Sequence, residues 1–373
     1  MLPFSVQNIV NIKKPIQPSS ILSQSILRKS KSARIVHLAV SLGFVLRSFT
    51  VYYDLTSEDG ISKASSNNIS KYYAIWLLIY SFVFPCSLIA LIFNSTHYFE
   101  FLNIWKNIVK RNENVINAYI TTKRKFSYRI ILLAFIYETA LNFIQVIQLV
   151  DLLTRNNFSL YFQVIRIGSQ VLVLISIAFG WSLFMYFILE TCIYMHSAFV
   201  LIDYHLDNNK LNQLDSNDIE QIILARNTYS ESIKLISCAD NLLSFLITGF
   251  YIFFVGYCFA IIGQFSMSDG TFIDVLTVIF RLFGETIYIG SMTHYLVNIN
   301  KLSDKIFEKV YSLTLNRSRT VEYNDEINLF LLRVGRNDVG FRFANLFVMT
   351  PAFVSSLATI SLTLVLTLPS LLH

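Results

Sequence analysis

Runs in which almost every position is apolar, separated by runs in which charge returns, divide this chain into seven segments, at about 35–53, 72–94, 129–153, 160–190, 241–266, 273–299 and 342–368. Each is long enough to cross the ~30 Å apolar layer of a bilayer as an α-helix. In that layer a helix satisfies all of its backbone hydrogen bonds within itself. The pattern therefore predicts an all-α, seven-transmembrane-helix polytopic membrane protein. The fourth segment exceeds what a bilayer needs and is expected to run on as helix beyond it.

Between the sixth and seventh runs the periodicity changes. Leu302, Ile306, Val310 and Leu313 follow one another at helical steps, as do Ile327, Phe330, Leu331 and Val334. These one-sided apolar faces need partners, by default within the same chain. The expected organisation is an N-terminal segment 1–34, helices 1–6 over 35–300, two further helices in 301–340, and the last span in 341–373.

The last run carries a second pattern. At 100° per residue, Ala352, Ser356, Thr359, Thr363, Thr367 and Ser370 fall on one narrow face. A hydroxyl stripe of this kind suits close packing against another helix, each hydroxyl bonding its own i−4 carbonyl. It equally suits the wall of a water-filled pore.

Composition changes the picture little but fixes its class. With 54% hydrophobic and 14% charged residues and a mean hydropathy of +0.52, a soluble chain would aggregate. Charge fixes the expected orientation. With the N-terminus inside, the inner segments hold 24 of the Lys and Arg and the outer loops only Lys63, Lys71 and Arg155, which the positive-inside rule reads as N-inside, C-outside. The basic balance is thus a membrane signature, and no nucleic-acid partner is expected. No cleavable signal peptide is expected at the N-terminus. Asn68 and Asn157 head Asn-x-Ser/Thr triplets in expected outer loops.

Cys86, Cys192, Cys238 and Cys258 form no CxxC pair, and the six histidines show no ligand spacing, so no metal or cofactor and no enzyme activity is expected. Polar residues inside spans mark a candidate ligand site: Gln145 and Gln148 beside Asn142 in the third, Arg166 and Gln170 in the fourth, Tyr257 and Gln264 in the fifth, Arg281 and Glu285 in the sixth. Arg281 and Glu285 are four apart and can neutralise each other. Glu138 and Glu190 lie deeper and are read as pairing with donors in the bundle.

The residues Glu326-Ile327 and Phe330, then Phe341, Ala344 and Leu346-Phe347 ahead of a small-residue apolar helix, resemble the last inner helix and final span of the insect gustatory and odorant receptor superfamily. In gustatory receptors that span ends in Thr-Tyr, five hydrophobic residues and Gln-Phe. Here Thr363 keeps the Thr, while Leu364, Ser370 and Leu371 replace the other three, so the chain resembles a divergent member. The resemblance implies a homo- or heterotetrameric ligand-gated, non-selective cation channel in the plasma membrane of a sensory cell. A small organic, tastant-like ligand would bind within each subunit's outer half. Ser356, Thr359, Thr363, Thr367 and Ser370 of four subunits would line the pore, and the inner ends of the later helices would form the anchor between subunits. Two alternatives stay open: a non-conducting relative that binds ligands or scaffolds, and a small-solute transporter. Against the transporter, no internal repeat is visible.

Overall fold

The computed structural model describes residues 17–56, 68–93, 95–110, 113–155, 160–208, 216–267, 272–315, 320–336, 339–344 and 346–372. In chain order the elements are α1 (Ile21–Ile26), α2 (Lys31–Thr56), α3 (Asn68–Phe93), α4 (Ser95–Val109), α5 (Glu113–Arg155), α6 (Leu160–Asn208), α7 (Ser216–Met267), α8 (Phe272–Thr314), α9 (Val321–Val334), the short strands β1 (Arg342–Phe343) and β2 (Phe347–Val348), and α10 (Pro351–Leu372). Six of the seven apolar runs lie on α2, α3, α5, α6, α7 and α8. The seventh divides between a hairpin and α10. By length and composition alone, four helical stretches among the described residues can cross a membrane, namely Lys31–Thr50, Ile116–Ile144, Gln163–Asp207 and Ile219–Tyr257. The pair Ser81–Phe93 and Ser95–Val109, bent by 59°, makes a fifth if it counts as one span.

The apolar runs set the spans, but the helices are far longer. α6 has 49 residues and α7 has 52, roughly 75 Å of helix each at 1.5 Å per residue, more than twice an apolar layer. The expected continuation of the fourth segment is present, and α5, α7 and α8 extend in the same way. The surroundings change along α6. Between Leu160 and Ile175 many side chains stand exposed, among them Leu160, Tyr161, Val164 and Leu172. From Phe184 to Ile202 all but Tyr186 and Val200 are buried. A helix buried on every side is the centre of a core, and this stretch of α6 is packed about by α1, α2, α4, α5, α7 and α8. The exposed apolar belt, which includes Phe49, Phe82, Leu133 and Phe143, is a surface water does not tolerate. With several such apolar helices, the chain is a multi-pass membrane protein.

The two amphipathic faces read between 301 and 340 are covered within the chain. Ile306, Val310 and Leu313 are buried on α8, and Tyr323, Ile327, Phe330 and Val334 on α9. α9 opens on Thr320, whose hydroxyl accepts from the Tyr323 amide (3.4 Å), and closes at Gly335, whose amide donates to the Leu331 carbonyl (2.8 Å). It packs on α8 and α7, with Arg226 of α7 and Glu326 ion-paired at 3.1 Å. On the neighbouring face, Lys305 and Lys309 of α8 reach Asp203 and Asp207 of α6.

The N-terminal segment is tied in by Glu190. This fully buried carboxylate accepts from the backbone amides of Ser19 (2.7 Å) and Ser20 (3.0 Å), from the hydroxyls of Ser19 (2.8 Å) and Ser23 (3.2 Å), and from Arg124 Nη2 (2.7 Å). Its reading as a structural partner of donors in the bundle is thus met.

Candidate functional site

Helix α10 carries the hydroxyl stripe, and its root is built differently from expectation. The sequence reading takes 342–368 as one helix, but residues 342–348 form an antiparallel hairpin, with Arg342 opposite Val348 and Phe343 opposite Phe347. The helix starts only at Pro351. Proline suits the first position of a helix because its missing N–H has no acceptor there anyway, and the Thr350 hydroxyl caps the helix by accepting from the Phe353 amide (3.1 Å).

The hairpin is pegged onto α7. Asp240, Ser244 and Thr248 stand at steps of four and so share one face. Asp240 Oδ1 accepts from the Arg342 amide (2.9 Å), Ser244 donates to the Arg342 carbonyl (3.1 Å), and Thr248 Oγ1 accepts from the Ala344 amide (2.8 Å). Phe341 and Met349 on either side are fully buried, and their backbones meet through the Met349 amide and Phe341 carbonyl (2.7 Å). Asp240→Ala leaves the Arg342 amide without its partner. It is expected to cost about 1–3 kcal/mol and to free the root of α10, read as faster proteolysis between 340 and 350 in the folded protein.

One face of α10 rests on its own chain. Phe353 and Leu357 pack against the core, with the Phe353 ring 5.4 Å from that of Phe343. Val354, Leu357 and Ala358 close a cavity of about 490 Å³ between α7, α8 and α10, reached also by Tyr251, Ile289 and Thr293. The opposite face is exposed. Ser356, Thr359, Thr363 and Thr367 all lie on it. Thr359 donates to the Ser355 carbonyl (3.0 Å), Thr363 to Thr359 (2.9 Å) and Thr367 to Thr363 (3.0 Å). Among the described residues the stripe is thus exposed, and its threonine hydroxyls bond to carbonyls of their own helix.

Of the residues read as a ligand site, the side chains of Gln145, Gln148, Gln264 and Arg281, like that of Ser370, lie outside the described residues. Arg166 and Gln170 are half-buried on the N-terminal part of α6. Close by, the Asn142 amide of α5 donates to the Leu174 carbonyl of α6 (3.4 Å). Tyr257 is buried on α7 and stacks on Phe253 at 5.5 Å. Glu285 is half-buried on α8, beside Gly284, where the Tyr137 ring of α5 fills the space a Cβ would need. None of these four lines the 490 Å³ cavity. Nothing in the sequence marks that cavity, because its walls mix apolar positions with scattered polar ones, such as Thr293, His294 and Asn298, that no single spacing brings together. His196 does not cluster with Asp203 and His205: its Nε2 donates to the Tyr295 carbonyl (3.0 Å), His205 meets Gln221 (2.9 Å), and Asp203 meets lysines. Among the described residues no group of three His, Cys, Asp or Glu side chains could hold a metal.

The sequence matches no protein-family model, and a search of curated proteins finds no relative. Solved structures do resemble it. The olfactory receptor OR5 of the insect Machilis hrabei in complex with eugenol superposes with a TM-score of 0.62 at 12% identity, over 94% of this chain and 96% of that one. The same receptor without a named ligand gives 0.61 at 12% identity, over 93% and 95%. The chain therefore has the fold of an insect olfactory receptor along nearly its whole length, and the likeness first seen at its C-terminus extends to the entire architecture.

Proposed function

We propose that this chain is a divergent, gustatory-type member of the insect chemoreceptor superfamily and a subunit of a ligand-gated, non-selective cation channel in the plasma membrane. In this reading it spans the bilayer seven times with the N-terminus inside, and four subunits place α10 around a common axis. The observation that carries the reading is the hydroxyl face of α10, turned away from its own bundle. A polar stripe gains nothing from lipid, whereas around an axis Thr359, Thr363 and Thr367 present oxygens to partly hydrated cations without a fixed charge. The whole-length likeness to olfactory receptor structures supports the same reading.

The ligand is a small organic molecule, the class to which the eugenol bound by the Machilis receptor belongs. We assign its recognition to the outer polar set, with Arg166 and Gln170 on one wall and Tyr257 and Glu285 opposite, joined by Gln145, Gln148, Gln264 and Arg281. Because the stripe's hydroxyls are satisfied by their own carbonyls, a non-conducting, ligand-binding relative is the second reading.

Thr363→Leu and Thr367→Leu separate the two. Each is expected to reach the surface normally, since the side chain is exposed. Each is also expected to cut single-channel current severalfold in patches from expressing cells. Unchanged current in both variants would remove α10 from the pore, and a stable monomer in detergent would favour the non-conducting reading.

A further inference from the structure

A second, smaller cavity is lined by residues far in sequence from α10. It measures about 310 Å³ and lies between Gln17 and Pro18, the turn after α1, helix α4 and the start of α5. Three lysines line it: Lys29, held by Gln17 (Nζ to Oε1 2.6 Å), with Lys106 in the last turn of α4 and Lys110 just past its end. Among the described residues none of the three is ion-paired. Its apolar wall is made by Leu27, Phe99 and Val109. In that lining lies Asn117, 1% exposed, with neither its amide nitrogen nor its oxygen bonded to any group among the described residues.

Buried polar atoms without partners are rare and call for an explanation. An amide that lacks both an acceptor and a donor is completed by a group that is both, and a hydroxyl is such a group. Lysine clusters take phosphate as point charges. Helix α4 gives the cavity its setting. It buries Tyr98, Phe101, Leu102, Trp105, Ile108 and Val109, leaves Lys106 and the following Lys110 outside, and follows Phe93, which is 80% exposed at the end of α3. An amphipathic helix that ends on exposed lysines, beside an exposed apolar end, suits a membrane surface.

We propose that this cavity binds a phosphorylated polyol: phosphate on Lys29, Lys106 and Lys110, a ring hydroxyl on Asn117, and any acyl portion along Phe99 and Val109. With the N-terminus inside, the site faces the cytoplasmic leaflet. The chemistry is shared by a phosphoinositide lipid and by a free inositol phosphate.

The test uses the full chain in nanodiscs of phosphatidylcholine, alone or with a minority of phosphatidylinositol phosphate or phosphatidylserine, and separately with inositol trisphosphate in solution. Binding is read as thermal stabilisation and by native mass spectrometry. Selective stabilisation by the phosphoinositide disc is expected, and Lys106→Glu with Lys110→Glu, both on exposed positions, should weaken it by about tenfold or more. Asn117→Leu should remove the preference for phosphoinositide over phosphatidylserine while leaving the weaker response to phosphatidylserine in place. Stabilisation by inositol trisphosphate alone would assign the site to a soluble ligand, and stabilisation by the lipid alone to the leaflet; each upholds the proposal. Equal responses to phosphatidylserine and phosphoinositide in the unaltered protein, no response to either inositol probe, or full binding in the double variant would overturn it.

Discussion

Glu190→Ala is expected to cost about 3–5 kcal/mol of stability, the penalty for breaking a buried, hydrogen-bonded ion pair by removing one partner. The carboxylate is fully buried and collects five donors from three parts of the chain: the segment before α1, α1 itself and α5. Removing it strands Arg124, whose side chain is 16% exposed, and leaves the Ser19 and Ser20 amides ahead of α1 without their acceptor. Arg124 keeps the Gln17 carbonyl (2.9 Å) and the Tyr194 hydroxyl, so part of its polar shell survives but its charge is uncompensated. Glu190→Gln keeps the volume but turns an N–H₂ toward groups that are themselves donors, and should fall between the two. The check is thermal unfolding in detergent with a double-mutant cycle: Arg124→Met on top of Glu190→Ala should cost much less than it does alone. Additive losses would show that the two groups stabilise the fold independently.

The second large effect belongs to α9. Phe330 is fully buried with its ring 5.8 Å from Tyr229, whose hydroxyl meets Ser303 of α8 at 2.8 Å. Phe330→Ala leaves a cavity at the meeting of α7, α8 and α9 and should cost about 3–5 kcal/mol. α9 is short and packs through a single face, so the loss should be local. Limited proteolysis would then cut around 316–319 and 337–338 while the long helices stay intact. In the proposed tetramer these inner helices form the contact between subunits, so the same variant should shift the particle toward monomer by light scattering. Destabilisation with the oligomer intact would separate α9's role in the chain from any role between chains.

Much of this architecture is visible in the sequence because it rests on local physics. Length of apolar run places the long helices α2, α3 and α5 to α8, and 3.6-residue spacing finds Ile306, Val310, Ile327 and Phe330 as buried positions. Glu190 is readable as a paired carboxylate because an isolated one inside a bundle is too costly to keep. The hairpin at 342–348 is not readable in the same way. An uncharged apolar stretch is compatible with helix or strand, and what decides is the row of Asp240, Ser244 and Thr248, about a hundred positions earlier. One local signal was present: the residue before a proline is biased away from the helical region, and Thr350-Pro351 marks the true start of α10. The two cavities are illegible for a different reason. A cavity is space left where helices diverge, and no residue pattern records it. Of its lining, only Asn117 carries a trace, and that trace appears only once its lack of partners is seen.

Because α10 is held at its root by the hairpin and by its first two turns, while the side chains described further along that helix stand exposed, it is mechanically a cantilever. Its 22 residues make a rod of roughly 33 Å. A tilt of about 5° at the clamp displaces the tip of such a rod by about 3 Å, close to the diameter of a water molecule. Small shifts of α7 beneath Asp240, Ser244 and Thr248 are thus geared up at the far end, where Thr363 and Thr367 stand.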